Sequence, residues 1–335
     1  MILVTGASGC VGANLVHALV AADKPVAALL QPGDAAPALR RIGNRIERRY
    51  GDVRDPASLR RAMANIDSVY HAAGVASPRL ADEARMWEVN VDGTRHVLEA
   101  ARQAGVARVV HVSSIAAVGY PDGCFDESAT YNGPDIAFAY MHSKHAAEQE
   151  VHAAVARGLD AVSVCPAAII APYCDRLDGW GRIILDVAAR RMAFYPPGGI
   201  AYLGSVDLVA GLQAAMRHGR SGERYLLASG NTSYRELIDC FAAAAAVAPP
   251  GWTAPRPLVR GAARLLRAIE PVSKRCLPQM RLSSGVLDLL WRQKHYRTDK
   301  AARELGFTAT QTLRSAVAET WCWLAAGQQG AAHVA

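Results

Sequence analysis

Tyr140 and Lys144 stand four residues apart in AFAYMHSKHAAEQEV. The stretch is Ala-rich and free of Gly and Pro, which predicts a helix with Glu148 and Glu150 on its exposed side. In a helix, residues i and i+4 point the same way. A phenol beside an ammonium can act as an acid–base pair. A free tyrosine titrates near pH ~10, too high for a base at neutral pH, and a neighbouring cation favours the phenolate. The same spacing also arises between two residues that merely share a helix face. What else the chain carries decides between them.

TGASGCVG (5–12) is the second candidate for chemistry, with glycines at 6, 9 and 12. It follows a short apolar run and opens an amphipathic one. Between strand and helix, Gly6 permits a tight turn, Gly9 lets a pyrophosphate approach the backbone, and Gly12 lets the helix pack close to the sheet. The helix start then aims N–H groups and a positive dipole end at phosphate.

The segments around these residues alternate. Strands are predicted at 2–5, 25–30, 45–50, 68–73, 107–113 and 160–166, and helices at 10–22, 56–64, 82–104 and 138–158. Such alternation with short connections predicts an α/β fold, a parallel sheet covered by helices on both faces. After Pro166 the rhythm breaks. A turn and strand are predicted at 195–204 and another strand at 223–229, with helices at 206–219, 234–246 and 312–326. The region 255–292 reads as basic and helical, broken by Pro271 and Pro278. The expected division is a nucleotide-binding domain (1–166) and a smaller, mostly helical substrate lobe (167–326). Part of that lobe's chain returns to the sheet, and a flexible tail (327–335) follows.

The chain has 335 residues, 51% hydrophobic and 20% charged, an ordinary globular composition. Its formal charge is +7. Arg256, Arg260, Arg264, Arg267, Lys274, Arg275 and Arg281 carry much of the excess. No nucleic-acid-binding motif accompanies them, so they read as a solvated helix face. Seven scattered cysteines without C-x-x-C predict free thiols in a reducing compartment, not a disulfide frame or zinc site. MILVTGAS lacks a signal-peptide pattern, and no apolar run reaches the ~18 residues of a membrane span, so a cytoplasmic location is expected.

Together these motifs resemble the extended short-chain dehydrogenase/reductase family, which includes NAD-dependent epimerases and dehydratases. The resemblance covers nearly the whole chain. It implies a Rossmann-type, doubly wound sheet and a homodimer. TGASGCVG looks like the family's cofactor loop, with Gly6, Ser8, Gly9, Cys10, Val11 and Gly12. Gln31 closes the second strand. GDVRD (51–55) looks like the segment whose Asp52 accepts from the adenine amino group, with Val53 beside the ring. HAAG (71–74) would set Ala72, Ala73 and Gly74 beside the pyrophosphate and ribose, and Asn90 leads the matching helix that follows. VSSIAAVG (112–119) matches the active-site strand, with Ser114 as the catalytic hydroxyl and Ser113 able to share or take the role. YMHSK matches the Y-x-x-x-K pair, so Tyr140 and Lys144 read as catalytic. CPAAIIAP (165–172) resembles the loop over the nicotinamide and adds Pro166 and Ile169. No metal is implied, and His142 and His145 read as helix-face residues.

The implied chemistry is hydride transfer between a nicotinamide and a ketone or secondary alcohol. GERYLLASGNTSYREL and YRTDKAARELGF resemble dihydroflavonol reductases, 3β-hydroxysteroid dehydrogenases and hopanoid-associated epimerase-like proteins. Two departures bear on the substrate. Cys165 stands where the family often has Arg, and AYLGSVDLVAG lacks the Arg common in sugar-nucleotide members. With Trp180, Phe194, Tyr195 and Tyr202 as pocket or core residues, this favours a largely apolar small molecule. The alternatives are a sugar-nucleotide epimerase, or less readily a dehydratase, with tightly bound NAD, and a non-catalytic cofactor-binding protein. The latter sits poorly with a retained Tyr and Lys. The second strand ends Leu30-Gln31-Pro32 without an acid until Asp34, and Arg40 and Arg41 follow, so the cofactor is NAD(P) with a lean to NADP.

Overall fold

The computed structural model describes residues 1–120, 122–174, 179–276 and 283–332. Its strands in chain order are β1 (Ile2–Thr5), β2 (Val26–Leu30), β3 (Glu47–Tyr50), β4 (Ser68–His71), β5 (Arg108–Val112) and β6 (Gly123–Phe125). The later ones are β7 (Ala161–Pro166), β8 (Ala168–Ile170), β9 (Gly199–Gly204), β10 (Arg224–Leu227), β11 (Gly230–Ser233) and β12 (Gln293–Tyr296). Seven form one sheet in the order β10-β7-β5-β4-β1-β2-β3, and every pairing in it is parallel. β2 and β7 are buried along their whole length, as strands covered on both faces must be. Separate apolar clusters lie on the two faces of this sheet. The winding reverses between β1 and β4. In such folds ligands bind at the carboxyl ends of the strands beside this switch point.

The doubly wound parallel sheet thus agrees with the sequence reading. The six expected first-half strands all form, each trimmed by at most two residues at either end. The segment predicted over 223–229 returns to this sheet as β10. The helix expected over 82–104 is built in pieces: Glu83–Trp87, a π-helical turn at Glu88–Asp92, and Gly93–Gln103. A second sheet holds more strand than the sequence suggests, and through β6 it draws on the chain before the expected boundary at 166. β11, β9, β12 and β6 form a sheet in that order, with β8 also paired to β9. The basic helix runs Arg256–Cys276, straight through Pro271, where the sequence predicts a break. Pro278 lies outside the described residues. Arg256, Arg260, Arg264 and Arg267 are exposed, in keeping with a solvated face. Lys274, Arg275 and Arg281 lie outside the described side chains. The last helix spans Leu313–Ala332, beyond residue 326, where the sequence predicts a soft tail.

Candidate active site

At the end of β1 the chain turns sharply. Gly6 adopts φ +64°, and a Cβ there would lie 2.6 Å from the Ala73 nitrogen and 2.7 Å from the Ala72 carbonyl. Any larger residue would push the turn off the end of β4. The helix Cys10–Ala21 then crosses the turn so closely that a Cβ on Gly12 would lie 2.2 Å from the Gly6 oxygen. Gly9 caps this helix with extended backbone, and among the described residues no side chain accepts from its first N–H groups. Those donors and the dipole end fit an anionic pyrophosphate.

Ser114 and the Tyr140–Lys144 pair arrive from two elements. Ser114 follows β5 and caps the short helix Ile115–Val118, its Oγ accepting from the Ala116 N–H at 3.1 Å. Tyr140 opens the helix Ala139–Ala156. Burial raises the Tyr140 phenol, and its hydrogen bond with Ser114 partly opposes that rise. One turn on, Lys144 is buried and donates from Nζ to the Val112 carbonyl at 2.9 Å. Burial pulls its ammonium down to about 8, against the attraction of Glu148. A Cβ on Gly74 would lie 3.4 Å from Lys144 Nζ. The structure therefore gathers Ser114, Tyr140, Lys144 and the end of the HAAG segment. The π-helical turn places Asn90 between these parts. Its side chain accepts from the Val75 N–H at 2.7 Å, and donates to the Val75 carbonyl and to Ser143 Oγ, both at 2.9 Å.

Ser113 does not share the position of Ser114. Its Oγ donates to Glu148 Oε1 at 2.6 Å, one turn beyond Lys144 on the same helix. Glu148, read from sequence as exposed, is 1% exposed. It also accepts from Cys165 Sγ at 3.0 Å and from Arg224 Nη1 at 3.3 Å. Cys165 does not leave the region without a cation, since β10 brings Arg224 to the same carboxylate. The spacing 140–144–148 held the signal: one residue per turn on the face that packs inward. His142 and His145 pack on Tyr131, the first through a 2.8 Å hydrogen bond and the second by stacking at 3.7 Å.

The turn after β2 departs from the strand-end reading. Gln31 donates to Asp52 Oδ2 at 3.1 Å, and Arg54 also binds Asp52 and holds its carboxyl below the usual range. Gly33, at φ +81°, turns the chain back so that Asp34 Oδ2 accepts from Ser8 Oγ at 2.6 Å. An acid four residues beyond β2 thereby stands at the phosphate loop. Val53 is buried against Gly93, Pro166 ends β7, and Ile169 lies in β8. Val11 is partly buried on the main core. Cys10 overturns the free-thiol expectation: it forms a disulfide with Cys174. Cys124, Cys165, Cys240 and Cys322 are free.

The pattern of the NAD dependent epimerase/dehydratase family matches residues 2–228. The chain belongs to this family. A relative in it, sterol demethylase protein B of Methylococcus capsulatus, is 36% identical over 96% of this chain and 97% of its own. A second, the 4-hydroxy-2-methyl-3-oxo-4-farnesyl-3,4-dihydroquinoline-1-oxide ketoreductase of Stigmatella aurantiaca, is 32% identical over 92% of each chain. The fold of a nucleoside-diphosphate-sugar epimerase from Pseudomonas aeruginosa superposes with a TM-score of 0.78 at 23% identity, over 97% of each chain. As a family member the protein is an NAD(P)-dependent oxidoreductase of the extended short-chain dehydrogenase/reductase type.

Proposed function

We propose that the protein reduces a ketone, or oxidises a secondary alcohol, on a largely apolar small molecule, with net turnover of the nicotinamide. The observation that carries the substrate class is where the basic residues go. Arg256 and Arg267 on the late helix pair with Asp122 and Asp288, and Arg260 lies over Trp291. Buried Lys294 donates to Tyr234 and the Leu289 carbonyl. Each of these four is engaged within the protein, and β9, Gly199–Gly204, offers no charge. A nucleotide-sugar diphosphate needs Arg or Lys clamps. The names of the sterol and farnesyl-quinoline relatives point the same way. The aromatics add less than the sequence suggested: Tyr195 and Tyr202 belong to the second lobe's core, and Phe194 packs outside on Trp252.

The residues fit a dinucleotide at the bare helix start beside Gly9, with Gln31, Asp52 and Val53 toward its adenine end and Ala72, Ala73, Gly74, Pro166 and Ile169 toward the nicotinamide. When bound, the cofactor supplies or takes the hydride. The chain's own residues handle the proton. Ser114 holds the substrate oxygen against Tyr140. Tyr140 gives that oxygen its proton in reduction and removes it in oxidation. Lys144, held by the Val112 carbonyl, supplies the charge that makes the phenolate accessible. We also read the working form as a cytoplasmic homodimer, on the family resemblance; no described helix is long and apolar enough to cross a membrane.

Stoichiometry tests the reaction. With a steroid or prenylated ketone panel, NADH or NADPH should be consumed mole for mole with alcohol formed. Conversion of a nucleotide sugar with no net cofactor change would replace this reading with the epimerase one.

The turn after β2 refines the cofactor. The strand end alone points to NADP. With Asp34 held against Ser8, we infer instead that its carboxylate accepts from a ribose hydroxyl and repels a 2′-phosphate. NADH should be favoured at least about tenfold in kcat/KM, roughly 1.4 kcal/mol. Asp34→Asn should erase most of that ratio. Preference for NADPH in the wild type, or an unchanged ratio in the variant, would return the assignment to Arg40 and Arg41.

A further inference from the structure

The segment after β8 crosses from the second lobe onto the phosphate loop and is fastened there three times. Asn14 Nδ2 donates to the Pro172 carbonyl at 2.9 Å. Tyr173, held at φ +62°, stacks on His17 with ring centres 4.2 Å apart and planes 6° from parallel. Cys174 is bonded to Cys10, the first residue of the helix whose start faces the expected pyrophosphate, with Cα atoms 4.5 Å apart. β8 belongs to the second sheet, and Tyr173 also meets Trp323 of the last helix edge-on at 6.2 Å. The disulfide thus ties the substrate lobe to the cofactor loop, joining positions 164 residues apart in sequence. Both cysteines keep part of their surface exposed, so a reductant can reach them.

We propose that Cys10–Cys174 is a site of thiol–disulfide exchange that governs cofactor retention: closed, it straps the segment 171–174 over the helix start, and opened, it lets the dinucleotide leave. This rests on the reading that the helix start holds the pyrophosphate. Opening needs a dithiol. One thiolate of the dithiol attacks a sulfur of the Cys10–Cys174 bond, which breaks, and a mixed disulfide forms. The second thiol of the reductant displaces the protein sulfur and leaves with its partner as a cyclic disulfide. Two electrons pass to the protein, and two protons complete its thiols. Closing runs in reverse with a small-molecule disulfide as oxidant, which departs as two thiols. A cysteine at a helix start has its thiolate favoured by the dipole, which makes Cys10 a good leaving group in the first step. Asn14 and the His17–Tyr173 stack keep Cys174 near its partner after reduction, so the bond can re-form.

The test uses the full chain in two redox states. Alkylation and mass spectrometry should find two more thiols after dithiothreitol than after oxidised glutathione, with a peptide joining Cys10 to Cys174 only in the oxidised form. NADH release, followed by stopped-flow fluorescence with excess NAD as competitor, should be on the order of tenfold faster from the reduced protein. Cys174→Ser should release NADH at the reduced rate whatever the redox state, which separates this bond from the other cysteines. If the bond never forms under oxidant, the proposal fails. If it forms and opens while the release rate stays the same, the strap is disproved though the dinucleotide site stands. If neither form binds NADH, the dinucleotide reading falls and the strap with it.

Discussion

Tyr140→Phe lowers turnover by at least about two orders of magnitude and leaves NADH affinity within a factor of about two. The substitution keeps the ring, which packs beside Phe138 at 5.9 Å between centres, and removes only the hydroxyl. Folding should therefore be retained. What disappears is the one group that combines an ionisable proton with a hydrogen bond to Ser114. Ser114 cannot take over, because its oxygen is fixed by the Ala116 N–H and an alcohol is a much weaker acid than a phenol. Lys144 cannot either, since its Nζ is directed to the Val112 carbonyl. The pair also sets a pH limit. Burial brings the Lys144 ammonium down to about 8, so the charge that favours the phenolate is lost as pH rises through that value. Steady-state rates on any accepted ketone, with Kd from NADH fluorescence, check the claim. Wild-type turnover in pure Tyr140→Phe would remove Tyr140 from the chemistry.

The first sheet and the site's main parts were legible because their signals are local. A glycine triplet between strand and helix, an i,i+4 pair, and apolar runs of strand length each report on a few neighbouring residues. What stayed hidden depends on contacts distant in sequence. β12 reads QKHY, which lacks apolar alternation, yet Lys294 and Tyr296 turn inward and are buried. The signal failed because a lysine occupies a core position, where burial pulls its ammonium down to about 7. Asp34 looked remote from the cofactor because the count ran along the strand, and the turn at Gly33 shortened the path. The Cys10–Cys174 bond joins positions that no spacing rule connects. Asn90 was visible as a helix leader, but its bridging of Val75 and Ser143 needed the π-helical turn that a plain helix would not contain.

Glu148→Ala should lower the free energy of unfolding by roughly 3–5 kcal/mol, the range for breaking a buried ion pair from one side. The side chain of Glu148 is 2% exposed and binds three donors, from Ser113, Cys165 and Arg224. Removing the carboxylate takes away the acceptor of the Ser113 hydroxyl and leaves Arg224, among the described residues, with the Glu127 carbonyl at 2.6 Å. The loss also reaches the site, because Glu148 supports the Lys144 charge against burial. Two further variants separate charge from shape. Glu148→Gln keeps an acceptor for Ser113 and the side-chain volume, and should cost less. Arg224→Leu added to Glu148→Ala removes the stranded guanidinium and should recover part of the stability, so the double variant lies above the sum of the singles. Urea unfolding of the wild type, the Glu148→Ala, Glu148→Gln and Arg224→Leu singles and the double, five proteins, measures this. A Glu148→Ala protein within about 0.5 kcal/mol of wild type, as for an ordinary surface change, would mean that Glu148 faces solvent after all.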